Sequence, residues 1–516
     1  MERSLPMKVK SIVPLALALI LTLTTATWLR AAEFHVNTAD DLKTALTMSQ
    51  DNYEDDIIYL AEGVYIGHFT FSTTQTKSLT LMAEEGLTAD QVILDGNDTG
   101  RVFNLGAGNN EVDFTLERLT LQRGRLYSSG NGAALYINTD GNVQIRKSVF
   151  KDSTVDSQSG GGIHLYKANS FEFSENSVMN NSAGNSGGGI FISSVTTIFI
   201  NENSIVNNAS FNGGGIHIYI ASGSPQIDIK KNIVSNNTYS GRGGGIFLNS
   251  WGSARIEYNL ISNNTSSNAN SDGGGGYLGG NSIAITHNIF SENTCHREGG
   301  GLFVETSSAC NINSNTIYAN TGGTGGGLCI PSASAGPTRL YNNIIWGNLA
   351  ESGADIFSDS IHGDNRLHHN VFSDMSGTWG SESDNQNVNP SFLSLGTGDY
   401  HLAPGSPCIN AGDNNAYAIR EIDLDGNPRI MDQVVDIGAY EFFSGYHPAD
   451  ADQDWSLALG EVDAYVAAWR SGAPWQTGPS PIPIEFVTRA TYLKESGGTY
   501  HHAGGTLPLG WASGNP

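Results

Sequence analysis

Apolar and polar residues alternate along most of this chain, in runs too short for helices. Ile190-Phe191-Ile192 and Ile198-Phe199-Ile200 show the pattern, and similar runs recur between about residues 130 and 375. Period-two alternation with β-branched residues predicts strands, and the Gly, Ser and Asn that bound each run predict turns. No ten-residue helical pattern separates the strands, which excludes a βαβ array.

Two markers give these strands a period. GGGI stands at 160–163, 187–190, 213–216 and 243–246, GGGY at 274–277, and GGGL at 299–302 and 325–328, with degraded copies GAAL at 132–135 and GADI at 353–356. Their third positions step by 28, 27, 26, 30, 31, 25, 26 and 28 residues. Pairs of Asn five apart keep the same period: Asn176 and Asn181, Asn203 and Asn208, Asn232 and Asn237, and so on to Asn343 and Asn348. A unit this short cannot bury its inner face alone. Stacked as the coils of a β-helix, each strand lies about 4.8 Å from its copy. Equivalent positions then form columns, with Ile on Ile inside, amide ladders of Asn at the bends, and Gly where a Cβ would be opposed.

The repeat resembles the right-handed parallel β-helix region of pectin-lyase-like proteins. GGGI followed by FSEN, at 173–176 and 290–293, also resembles the repeats of polymorphic outer-membrane adhesins. The expected fold is all-β: a right-handed parallel β-helix (solenoid) over 130–375, with an N-terminal cap and first coils in 33–129. A small C-terminal calcium-binding or anchoring module follows. Thr38 is placed to cap a short helix, with Asp41 completing the cap and Leu42, Ala45 and Leu46 forming one apolar face that plugs the first coil.

The first 32 residues read as a secretory signal peptide. Lys8 and Lys10 precede an apolar run from Ser11 to Trp28, and small residues follow at Ala26 and at Ala31-Ala32, either of which suits cleavage. Left uncleaved, the run is long enough to span a bilayer. No second run of that kind follows, so no transmembrane segment is expected in the mature chain.

After Asn370 the repeat dissolves. NPSF at 389–392, GDYHLAPGSPCINAG at 398–412, DLDGNPR at 423–429 and VDIGAYEF at 435–442 follow in order. Residues 376–444 thereby resemble the C-terminal region of the choice-of-anchor Q family, secreted bacterial β-helix proteins. The resemblance implies an extracellular, surface-attached protein and no known reaction. Asp423, Asp425 and Asp436 read as turn-forming residues, with Arg429 available as a partner.

Beyond it, in 445–472, Asp450, Asp452, Asp454, Ser456 and Glu461 match positions 1, 3, 5, 7 and 12 of a calcium loop. Three carboxylates, the Ser456 carbonyl and a Glu461 clamp would supply calcium with oxygens. Val462, Tyr465, Val466 and Trp469 then give a helical stripe. The stretch resembles half of a dockerin module, which implies calcium-dependent attachment to a cohesin-like receptor. It departs from that pattern in carrying Trp455 at the turn glycine and in lacking a second such loop before Pro516. Residues 473–516 form a tail module.

Composition narrows the function. The 516 residues carry 51 Asp+Glu against 26 Lys+Arg, a formal charge of −25, which argues against a nucleic-acid partner. Cys295, Cys310, Cys329 and Cys408 show no CxxC spacing and read as buried thiols, with one disulfide open in an oxidising compartment. A lyase needs a carboxylate cluster to hold calcium and an Arg-type base. Arg242, Asp272, His296, Arg297 and Glu298 precede successive GGG bends and are the candidates, with Asp272 and Glu298 as the pair for a hydrolase. Unequal loop lengths leave their register open, and a solvated turn edge is the alternative. If Ile163 and Leu165 point inward, His164 and Tyr166 point outward. The same register sets Phe191, His217, Tyr219, Phe247 and Phe303 outside, as an exposed aromatic column for sugar rings or a protein. Two readings follow. One is a non-catalytic, adhesin-like surface protein that binds polysaccharide or a cell-surface protein. The other is a polysaccharide lyase or hydrolase on the same fold. Regular coils and few basic residues favour the first.

Overall fold

The computed structural model describes residues 31–514, apart from 128, 267, 417–419, 421, 432, 476, 477, 480 and 504–506. The signal-peptide reading falls almost wholly outside the described residues. From Ala32 to Ser383 the chain winds into a parallel solenoid with three sheets. The first sheet takes two stretches from most coils, the second takes one from each of twelve, and the third holds six short strands.

The register is the one that the repeat predicts except at one motif: Gly276 pairs with Ile246 and Leu302, so the triplet of that coil is Gly273 to Gly275 and not 274–276. Ile163, Ile190, Ile216 and Ile246 are Cα partners in succession, and Leu165, Ile192, Ile218 and Leu248 run beside them. Both columns are buried and belong to one continuous core. Each bend is set by a residue in the left-handed region followed by a buried Asn. Glu175 has φ 57°, Asn180 57°, Glu202 58° and Asn207 56°. The Asn amides form two ladders, from Asn176 to Asn385 and from Asn181 to Asn348, each side-chain N–H donating to the next carbonyl oxygen at 2.9–3.2 Å. Asp355 closes the second ladder by accepting from Asn348 at 2.9 Å.

The glycine triplets meet a steric need. The glycine that opens each bend holds positive φ, as at Gly187 (64°) and Gly273 (65°), and a Cβ on Gly189 would lie 2.7 Å from the Gly215 carbonyl of the next coil. At the N-terminal end, helix α1 (Ala39–Ser49) is capped by Thr38, whose hydroxyl accepts from the Asp41 backbone N–H at 3.1 Å. It buries Leu42, Ala45 and Leu46 over the first coil.

Residues 389–443 do not extend the solenoid axially. They fold back along the outer face of the second sheet. Tyr400 and Ala439 pack on Ile289, while Leu402, Cys408 and Ile437 pack on Ile344 and Val371. Gly438 donates to the Asn342 carbonyl and Ala439 to the Thr316 hydroxyl. Within this arm Asp423 and Asp436 accept backbone N–H groups, and buried Arg429 pairs with Glu441 at 2.8 Å. A last unit packs helix α2 (Leu459–Ser471) and helix α3 (Ile484–Glu495) around Tyr465, Phe486, Tyr500 and Trp511. All four cysteines are buried and free. No described helix is long and apolar enough to cross a membrane.

Candidate functional site

The outward positions of the first sheet form two columns of different character. In the first, Tyr136, His164, Phe191, His217, Phe247, Tyr277 and Phe303 stack with ring centres 4.3–5.5 Å apart. This corrects the expectation of an exposed column. His164 is 3% and His217 6% exposed, Phe247 and Phe303 are also buried, and Phe191 is half-buried. The cause is local: the chain entering each GGG bend lies against the rings. A Cβ on Gly160 would meet His164 Cβ at 2.7 Å, and His164 Nδ1 lies 3.3 Å from the Ser159 carbonyl. Burial pushes both imidazoles down to about 4, so these rings are neutral filling.

The second column stays open. Tyr166 is 49% and Tyr219 47% exposed, and Ser193 links to Tyr166 through its carbonyl between them. Tyr219 is followed in register by Asn249, Gly279 and Glu305. Two glycines, Gly279 and Gly280, remove side chains here and leave a depression of about 210 Å³ lined also by Asn249, Trp251, Tyr277 and Glu305. Trp251 is 62% exposed at its rim. Sequence reasoning missed Trp251 because it sits where the strand register shifts, between Ser250 and Ser253. A lone Trp among polar residues, in Asn249-Ser250-Trp251-Gly252-Ser253, was the available signal.

The charged candidates come together in part. Arg242 and Asp272 are bridge partners on adjacent coils, and Arg242 Nε lies 3.4 Å from Asp272 Oδ2. From the following coil Arg297 Nε lies 3.6 Å from Asp272 Oδ1. Asp272 is buried, while both guanidiniums are about half-exposed. Burial pushes the Asp272 carboxyl up, against the opposing pull of Arg297 and Arg242. Arg242 also sits 5.0 Å from the centre of the Tyr277 ring, whose hydroxyl donates to Glu305 at 2.9 Å. Glu298 takes part through its backbone, accepting from the Gly273 N–H. His296 is exposed beside it.

In the last unit, Asp450, Asp452 and Asp454 bring carboxylate oxygens within 4.8 Å of one another. Asp450 is buried and accepts from the Asp454 and Trp455 N–H groups and from the Tyr500 hydroxyl. Trp455 does adopt the left-handed turn, at φ 65°, with its ring near those of Tyr446 and Tyr500. Glu461 stands outside the acidic group, accepting from the Ala451 and Ala458 N–H groups. An all-oxygen donor set of this kind suits calcium. A separate cavity of about 690 Å³ lies against the arm, where His401 bridges Asp399 at 2.5 Å and Asp425 at 2.7 Å.

The pattern of a right-handed β-helix region matches residues 102–290, and with the parallel ladders it makes the solenoid a right-handed β-helix. No curated protein matches this sequence. Among solved structures the chain is similar to the pectate lyase Pel9A, with 13% identity, a TM-score of 0.44, and coverage of 81% of this chain and 98% of that one. It is also similar to the PL6 family alginate lyase AlyGC, with 14% identity, a TM-score of 0.43, and coverage of 73% of this chain and 57% of that one.

Proposed function

We propose that this is an exported, surface-attached β-helix that binds a polysaccharide along the open column of its first sheet. The observation that carries this reading is the exposure of Tyr166, Tyr219 and Trp251 along one face, with Trp251 at the Gly279–Gly280 depression. Amphipathic rings offer flat apolar area to sugar faces and lose little side-chain entropy when they do so. Affinity electrophoresis against a panel of polysaccharides tests it. Removing Tyr219 and Trp251 together should weaken retention by roughly ten-fold or more, on the order of 0.5–1.5 kcal/mol per stacked ring. Retention unchanged in that double variant would overturn the reading.

A second reading, a lyase, is favoured by one observation: Arg242, Asp272 and Arg297 converge from three successive coils. A polysaccharide-dependent rise in unsaturated-product absorbance, lost in Arg242→Gln, would establish it. Attachment is assigned to the last unit, with calcium held by Asp450, Asp452, Asp454 and the Ser456 carbonyl, and with Glu461 moving in to join them. Calcium there would order the loop that presents helix α2 to a cohesin-like receptor.

A further inference from the structure

We infer that the polysaccharide bound on this face is anionic, and that Arg242 and Arg297 on either side of buried Asp272 grip its acid group directly. The inference rests on the glycan-binding reading and adds the substrate class. A chain with a formal charge of −25 repels polyanions in general, so a polyanion site requires a local reversal of sign. Arg242, Asp272 and Arg297 sum to +1. Arg242 and Arg297 approach Asp272 through Nε at 3.4 and 3.6 Å, and both guanidiniums are about half-exposed, so each has solvent-facing surface to offer a ligand beside the carboxylate. Asp272 Oδ1 has no hydrogen-bond partner and is sealed from solvent, so it acts as a fixed counter-charge that holds the two cations near each other. Guanidinium forks match carboxylate and sulfate oxygens two at a time.

The pair also adjoins the open face. Arg242 lies against Tyr277, and Tyr277 and Glu305 form a wall of the depression. Glu305 disfavours an acid group in the centre of the depression and leaves the arginine edge as its place. The sugar ring then rests toward Trp251 while its acid group turns to Arg242 and Arg297.

The test uses the full chain and four polymers: polygalacturonate and alginate as carboxylates, dextran sulfate as the sulfate source, and unmodified dextran. Calorimetry should show heat with acidic polymers and little with dextran. Carboxylates binding ahead of dextran sulfate, or the reverse, identifies the acid. The double variant R242Q/R297Q should weaken acidic binding by roughly ten-fold per guanidinium lost, and R242K/R297K should restore part of it. The lysine pair also serves as the folded comparison if the glutamine pair melts early. Dextran binding as tightly as the acidic polymers, with the arginine variants unchanged, would overturn the anionic assignment and leave the glycan face standing. Binding of none of the four would bring down the glycan face itself.

Discussion

Replacing Asn208 by Leu tests the ladders at their centre. The Asn208 carboxamide is fully buried and has five polar contacts, three of which share its two N–H hydrogens. Its oxygen accepts from the Asn181 backbone and side-chain N–H groups, and its nitrogen donates to the Val178 and Val206 carbonyls and to Asn237 Oδ1. Leu fills a similar volume but leaves the Asn181 backbone N–H without an acceptor. Four full bonds at a net of about 1 kcal/mol each, set against roughly 1.5–3 kcal/mol for burying the Leu side chain, leave a loss of about 1–3 kcal/mol. Urea unfolding followed by far-UV circular dichroism reads it as a lower midpoint, and comparison of slopes shows whether cooperativity survives in a solenoid. Asn207→Gly is the control: Asn207 is exposed at φ 56°, a conformation that Gly adopts freely, so its midpoint should barely move. A midpoint in Asn208→Leu within about 0.5 kcal/mol of the parent would refute the argument, and so would an equal loss in Asn207→Gly.

Gly189→Ala should destabilise by about 1–3 kcal/mol, because the new Cβ would lie 2.7 Å from the Gly215 carbonyl, and a thermal melt checks it. Buried His447 is pushed down by desolvation to about 3 and stays neutral in the folded last unit. The unfolded chain takes up its proton near pH 6.5, so stability is full above that pH and declines as pH falls toward 3. A melt of the last unit that is flat between pH 7.5 and 5 would contradict this. His401 runs the other way: its bond to Asp425, aided by Asp399, raises it to about 9, so its contribution is full below pH 6.5 and lost as pH rises through 9. That alkaline loss should vanish in His401→Gln. Calorimetry on the full chain should show calcium heat that Asp452→Asn reduces, since Asp452 is exposed and has no structural duty in the loop to confuse the result. Heat that is absent from the parent, or untouched in the variant, removes the site.

The coil and its register were legible in the primary structure, because a solenoid repeats one set of contacts between equivalent positions. Asn181 meets Asn208 and Asn208 meets Asn237 for the same reason that their spacings match the period. The Thr38 cap and the apolar face of α1 are local, i to i+3 and i+4 relations, and were equally readable. Other features depend on parts that do not repeat. Whether His164 and His217 face water is decided by the path of the chain before each GGG bend, and alternation along a strand carries no information about what covers its outer face. Arg242, Asp272 and Arg297 sit in loops of unequal length, so their convergence required the bridge that the folded coils form. The return of residues 389–443 along the second sheet is a contact between segments far apart in the chain, such as Thr316 with Ala439, and no periodicity announces it. Periodic order specifies neighbours one coil away; burial by a distant, aperiodic segment exists only once the whole chain has folded.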